Sequence, residues 1–206
     1  MPAIIYKNSQ GKRVPGVTTV LKNLGWSRDA LMGWANRIGR EQGVSHWDAS
    51  EGARNAGTLA HAMIEAELKG RDVDTSEATM ETLQMAEMAY SGWTRWRQMV
   101  SFELIASEVS LVSETHQFGG TLDIAGVLGE VCILDLKTSP SVYAEHKIQV
   151  RGYGELWDEN NPDKLVEAYY ILQLGRIDGS FHHHYWPKLD AEWRAFRYCL
   201  GLHNLK

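Results

Sequence analysis

Gly120-Thr121-Leu122-Asp123, followed by Ile133-Leu134-Asp135-Leu136-Lys137-Thr138-Ser139, is the stretch from which the rest of the chain is best read. Each segment places an acid at the polar end of an apolar, β-prone run, and a hairpin through Gly129 brings Asp123 and Asp135 side by side. Adjacent carboxylates repel and lose solvation, so they call for a compensating cation, most often a hard divalent metal. Asp135 and Lys137 are two apart on a strand and share a face. An ammonium beside a metal-bound carboxylate can orient a water or offset charge developing on a phosphate, which suits phosphodiester hydrolysis.

Outward from this core, Phe102 to Val112, Thr121 to Val127 and Val131 to Lys137 read as three antiparallel strands divided by glycines. Tyr143 to Asp158 reads as a helix, Leu165 to Leu174 and Phe181 to Trp186 as strands, and Asp190 to Leu202 as a closing helix. Upstream the chain is mostly helical. A short hairpin through Ile4-Ile5-Tyr6 and Arg13-Val14 precedes two short helices between Val17 and Gly43, divided near Gly25 and Ser27. A third helix spans about Ser50 to Lys69 and puts His61 and Glu65 on one face. A fourth reaches Val100 from a cap at Thr75 or Ser76, with Met80, Leu83 and Met88 towards a core. The expected fold is α/β, with a mixed central sheet flanked by helices. Residues 1–100 form a hairpin and helical region and 101–206 the core, in one continuous domain.

With 206 residues, 44% hydrophobic and 23% charged, the chain suits one compact domain. The net charge of −5 argues mildly against a protein that coats nucleic acid by general electrostatics, but carboxylates gathered around a metal acidify a protein anyway. Cys132 and Cys199 form no CxxC or cluster pattern, so a reducing compartment and two buried thiols are expected. The first residues do not resemble a signal peptide, and no apolar run approaches a membrane span, so the expectation is a cytoplasmic protein without a membrane partner.

Four motifs occur in one order: Gly57-Thr58-Leu59-Ala60-His61, Gly120-Thr121-Leu122-Asp123, Asp135-Leu136-Lys137 and Gln149-Val150-Arg151-Gly152-Tyr153. This ordered set resembles the PD-(D/E)xK nuclease superfamily, and within it the RecB-like exonucleases, over about positions 50 to 174. The resemblance implies a restriction-endonuclease-like core with an N-terminal helical arch over the site. It implies that His61, Asp123, Asp135 and the Leu136 carbonyl hold Mg²⁺ or Mn²⁺, with Lys137 positioning the attacking water. Gln149 and Tyr153 would face the site and the DNA backbone. The implied activity is exonucleolytic, on single-stranded or opened DNA ends, in recombination, repair or replication. The segment Val14-Pro15-Gly16-Val17-Thr18-Thr19-Val20-Leu21 is similar to small phage-encoded members. Relatives with iron-sulfur clusters carry four cysteines, so no cluster is expected here. No phosphate-cradling loop is present, so no nucleotide cofactor is expected, and unwinding would fall to a helicase or recombination partner.

Other residues divide between functional and bland roles. Glu65 is a candidate outer ligand or a solvated helix charge, and Glu108 a candidate to steer metal or DNA. Lys147 and Arg151 could hold phosphates or simply face solvent. In His182-His183-His184 strand alternation separates the middle histidine from its neighbours, which disfavours a metal site. Of eight tryptophans, Trp26, Trp34 and Trp47 are candidates to stack on unpaired bases. Two rivals stay open: a structure-specific endonuclease, and a catalytically idle DNA-binding module on the same fold.

Overall fold

The computed structural model describes residues 4–26, 28–43 and 45–205, with the side chains of residues 28–30, 42, 48 and 49 set aside. Ser27, at the expected helix division, lies outside the described residues. The chain runs β1 (Tyr6–Lys7), β2 (Arg13–Val14), α1 (Val17–Leu21), α2 (Arg28–Gln42), α3 (His46–Leu68) and α4 (Met80–Met99). It continues as β3 (Glu103–Ser113), β4 (Phe118–Val127), β5 (Val131–Lys137), α5 (Ala144–Asn160), β6 (Ala168–Leu174), β7 (Phe181–Trp186) and α6 (Asp190–His203).

The last five strands form one sheet in spatial order β3-β4-β5-β6-β7. All pairs are antiparallel except β5 and β6, which α5 joins by a crossover, as a parallel pair requires. The expectation of a mixed sheet flanked by helices is met.

Both faces are covered. On one, α1, α5 and α6 pack Val17, Leu156 and Phe196 against Phe118, Ile133 and Ile171. On the other, α3 and α4 pack Ala60, Ile64, Trp93 and Trp96 against Leu134, Leu136 and Leu172. Strand β5 shows why it reads as a near-continuous apolar run: Ile133 serves one layer and Cys132, Leu134 and Leu136 the other.

The helical half departs from the expectations in detail. Helix α3 starts at His46, four residues before the expected Ser50, which lies inside the helix with its hydroxyl donating to the His46 carbonyl at 2.8 Å. Helix α4 starts at Met80, where Thr79 accepts the Thr82 N–H at 3.2 Å. Thr75 and Ser76 are spent upstream: the Thr75 carbonyl closes a turn to Ala78, and the Ser76 N–H binds Asp74. Met80 and Met88 are exposed. The stripe that meets α3 is Ala86, Ala89, Trp93 and Trp96, since small residues let the two helices approach.

The amino-terminal hairpin is tied to the middle of the sheet. Tyr6 lies over Gly119, where a Cβ would sit 2.6 Å from the ring, and its hydroxyl is 3.0 Å from Thr121 Oγ1. Asn8 donates to Gln117 at 2.7 Å, and the Gly119 N–H donates to the Pro15 carbonyl.

Candidate metal centre

Helix α3 brings His61 to the sheet because Gly57, one turn earlier, has no side chain. A Cβ there would lie 2.7 Å from Thr138 Oγ1, just past the end of β5. His61 Nδ1 consequently stands 3.7 Å from Asp123 Oδ1. Gly120 does the same for α5: a Cβ would meet Tyr153 at 2.9 Å and Leu156 at 3.0 Å. Gly57 and Gly120 thus mark the close approaches of α3 and α5 to the sheet.

Strand alternation breaks at Asp123. Leu122 packs towards α5 while Ile124, two residues on, packs towards α3 and α4. Opposite this point, between the pairs Val109–Leu122 and Ser107–Ile124, Glu108 adopts a left-handed φ of 50°. A non-glycine residue there is strained, and such strain gathers at functional sites. The result is a group of His61, Glu108 and Asp123 donor atoms all within 4.8 Å of one another. The β4–β5 pairing ends at Ile124–Leu134, and the Asp123 carboxylate accepts the Leu136 N–H at 2.8 Å, which fixes its orientation.

Beside this group, Asp135 is fully buried, with Oδ2 2.5 Å from Lys137 Nζ. Its Oδ1 has no hydrogen-bond partner. Burial pushes the Asp135 carboxyl up, and Lys137 opposes that. Burial likewise works against the Lys137 charge, yet Asp135 and Asp123 hold it above the usual lysine range. Lys137 is therefore a cation, suited to donating hydrogen bonds and not to removing a proton.

Tyr153 is buried beneath Gly120 and accepts a 2.8 Å bond from Gln149 Nε2. Burial, then Asp135 and Asp123, keep its phenol protonated far above neutrality. Sequence reasoning passed over His146, which burial and Lys137 push down to about 4, leaving a neutral imidazole whose Nδ1 accepts the Tyr143 N–H. Its only sequence signal was its place one turn before Gln149 on α5.

His61, Glu65, Glu108, Asp123, Leu136 and Lys137 line one cavity of about 860 Å³. The donor set fits a hard divalent ion on two grounds: three mutually close ligand atoms, two of them carboxylate, and a buried carboxylate oxygen with nothing to bind. Glu65 is engaged by Lys69 at 2.7 Å and Arg71 at 2.5 Å, so it acts on the site through its charge. Glu108 joins the ligand group more closely than its sequence position at an apolar strand suggested, because the backbone reversal that turns it inward has no sequence signature.

The remaining candidates lie elsewhere. Gln149 lines a separate 400 Å³ cavity near α1, while Tyr153 lines neither. Arg151 pairs with Glu155 at 2.9 Å and lies against the rings of Trp193 and Tyr169. Lys147 stands 3.5 Å from Glu192 and faces Trp186. His183 stacks on Tyr170 and His184 on Trp186, so two histidines of the run are engaged in aromatic packing.

The crowding of carboxylates has a thermodynamic consequence. Burial, then Asp123 and Glu65, raise Glu108 to about 7. In metal-free protein its proton is favoured by the folded state, so stability falls as pH rises from about 4.5 to about 7. Glu108→Gln should flatten that slope, raise the melting temperature at pH 8 in EDTA and weaken Mn²⁺ binding. An unchanged pH slope in calorimetric melts would show that Glu108 is not strained by its neighbours.

Solved structures of similar shape include a candidate exonuclease from Eubacterium rectale, at 12% identity and a TM-score of 0.48 over 71% of this chain. The chain spans 64% of that protein's length. An alkaline exonuclease from Laribacter hongkongensis is similar at 12% identity and a TM-score of 0.40, over 70% of this chain and 75% of its own. The same enzyme in complex with dAMP gives 14% identity and a TM-score of 0.39, over 69% and 74%. No family profile matches the sequence, and no curated protein matches it. The chemistry assigned to the site rests on its own residues.

Proposed function

We propose that this chain is a Mg²⁺- or Mn²⁺-dependent deoxyribonuclease of the PD-(D/E)xK, RecB-like type, trimming single-stranded or opened DNA ends. The observation that carries the reading is the convergence of His61, Glu108 and Asp123 beside a buried Asp135–Lys137 pair with a free carboxylate oxygen. His61, Asp123 and Asp135, with the Leu136 carbonyl and Glu108, would hold the ion. A bound ion supplies Lewis-acid activation of water and neutralises charge on phosphate oxygens. Lys137 donates to the attacking water or a phosphate oxygen and offsets charge as the bond breaks. Tyr153, held protonated under Gly120, is a neutral, buried neighbour of Asp135 and Asp123 outside the cavity lining. Trp26 and Trp47 are exposed on the helical front end, where unpaired bases could stack. The role in recombination, repair or replication, a helicase-type partner, cytoplasmic location and phage type belong to the same proposal, as does the division at residues 1–100 and 101–206. No helix among the described residues is long and apolar enough to cross a membrane.

The test is cleavage of end-labelled single-stranded, duplex and covalently closed circular DNA in Mg²⁺, Mn²⁺ or EDTA. Metal-dependent trimming of linear DNA that spares circles is expected. Cut circles would replace the exonuclease with an endonuclease, and binding without cleavage in either metal would leave an idle DNA-binding module.

A further inference from the structure

The cavity that holds the acidic group has an oppositely charged end. Its α3 wall runs from Ser50 and Arg54 through Gly57 and His61 to Glu65. Arg54 precedes His61 by seven residues, so it shares that face about 10 Å away along the helix axis. Arg176, from the turn after β6, lines the same cavity and donates to the Ala53 carbonyl at 2.7 Å. The Arg54 guanidinium lies 5.2 Å from the Trp47 ring centre and donates to the Trp47 carbonyl and to Ser50 Oγ. Among the described residues neither guanidinium takes part in an ion pair, although carboxylates line the other end. Neutral carbonyls hold both forks in place and leave further N–H groups to donate.

Two guanidiniums on one cavity wall, held by neutral acceptors and with no carboxylate partner among the described residues, are free to take an anionic ligand. We propose that Arg54 and Arg176 form a subsite for a polynucleotide phosphate neighbouring the one at the acidic group. The subsite rests on the nuclease reading of that group. Guanidinium forks match phosphate oxygens in pairs, and backbone contacts of this kind set the register of a strand without reading its sequence. A phosphodiester with a single phosphate cannot occupy both ends of the cavity. The two arginines therefore select a polynucleotide over a small phosphate ester and hold the strand in place for cutting.

Two measurements separate the subsite from the cleavage chemistry. Binding of a fluorescent single-stranded oligonucleotide is followed by anisotropy in Ca²⁺ over a salt series, for wild type, Arg54→Gln and Arg176→Gln. Hydrolysis of thymidine 5′-para-nitrophenyl phosphate in Mn²⁺ is measured in parallel. Each substitution is expected to weaken oligonucleotide binding about tenfold and lower the log–log salt slope by about one. Hydrolysis of the small ester should stay within about twofold of wild type, since phosphate contacts to a neighbouring nucleotide are absent from it. Arg54, the more exposed of the two, controls for any misfolding caused by losing the Arg176–Ala53 tether, and melting curves check both variants. Unchanged binding and slope, or equal losses on both substrates, would overturn the subsite. If the wild type hydrolyses neither the ester nor, when Mn²⁺ replaces Ca²⁺, the same oligonucleotide, the nuclease reading falls, while the binding and salt-slope arm still decides whether these arginines hold phosphate.

Discussion

Asp135→Asn should reduce DNA cleavage by about a thousandfold or more, because it removes the charge that both the ion and Lys137 require. Lys137→Ala should cost a similar factor in cleavage but move stability the other way. With Lys137 gone, Asp135 remains buried and uncompensated at the end of β5. Breaking a buried pair from one side costs about 3 kcal/mol or more. Asp135→Asn instead leaves an ammonium that still reaches solvent, with a side chain 17% exposed. Single-turnover cleavage and urea unfolding in EDTA separate the two effects. The double variant Asp135→Asn/Lys137→Met should regain most of the stability lost in Lys137→Ala and none of the activity. Undiminished cleavage by either single variant would sink the assignment of the site.

Gly57→Ala is the second large effect, and it acts at a distance. The new methyl would stand 2.7 Å from Thr138 Oγ1, and unless Thr138 turns that oxygen aside, α3 must move away from the end of β5 and carry His61 with it. Displacing one ligand's support costs about tenfold to a hundredfold in metal affinity. Thr138→Ala removes the clashing oxygen, and the pair Gly57→Ala/Thr138→Ala should recover Mn²⁺ binding by titration calorimetry. Affinity that is lost in Gly57→Ala and not restored in the pair would mean that something other than this contact sets the position of α3.

These contacts explain what was legible in the sequence. The motif glycines, the aspartates and Lys137 could be read in order because each is the local cause of a local geometry: a missing Cβ permits approach, and an acid ends an apolar run. The strands of the sheet were legible for the same reason. Glu108 was harder, since its inward turn comes from a left-handed backbone in the middle of a β-branched and apolar strand. The front helices were the least legible: Met80 and Met88 looked like core residues, yet Ala86, Ala89 and two tryptophans took the packing face. Arg54 and Arg176 carried no motif at all. They are 122 residues apart in the sequence, and only the fold puts them in one cavity.

The tie between Tyr6 and the sheet has a consequence in time. The Tyr6 and Asn8 side chains meet partners 115 and 109 residues later in the chain. At about 5–20 residues per second of synthesis, the opening hairpin waits on the order of ten seconds before Thr121 and Gln117 exist to receive it. Gly119 can then be covered by the waiting Tyr6, but Gly120 waits a further 33 residues for Tyr153 to fill the space above it. The strand that carries Asp123 is therefore completed by the first and the later parts of the chain together, and long-range closure of this kind sets a slow pace for the last step of folding.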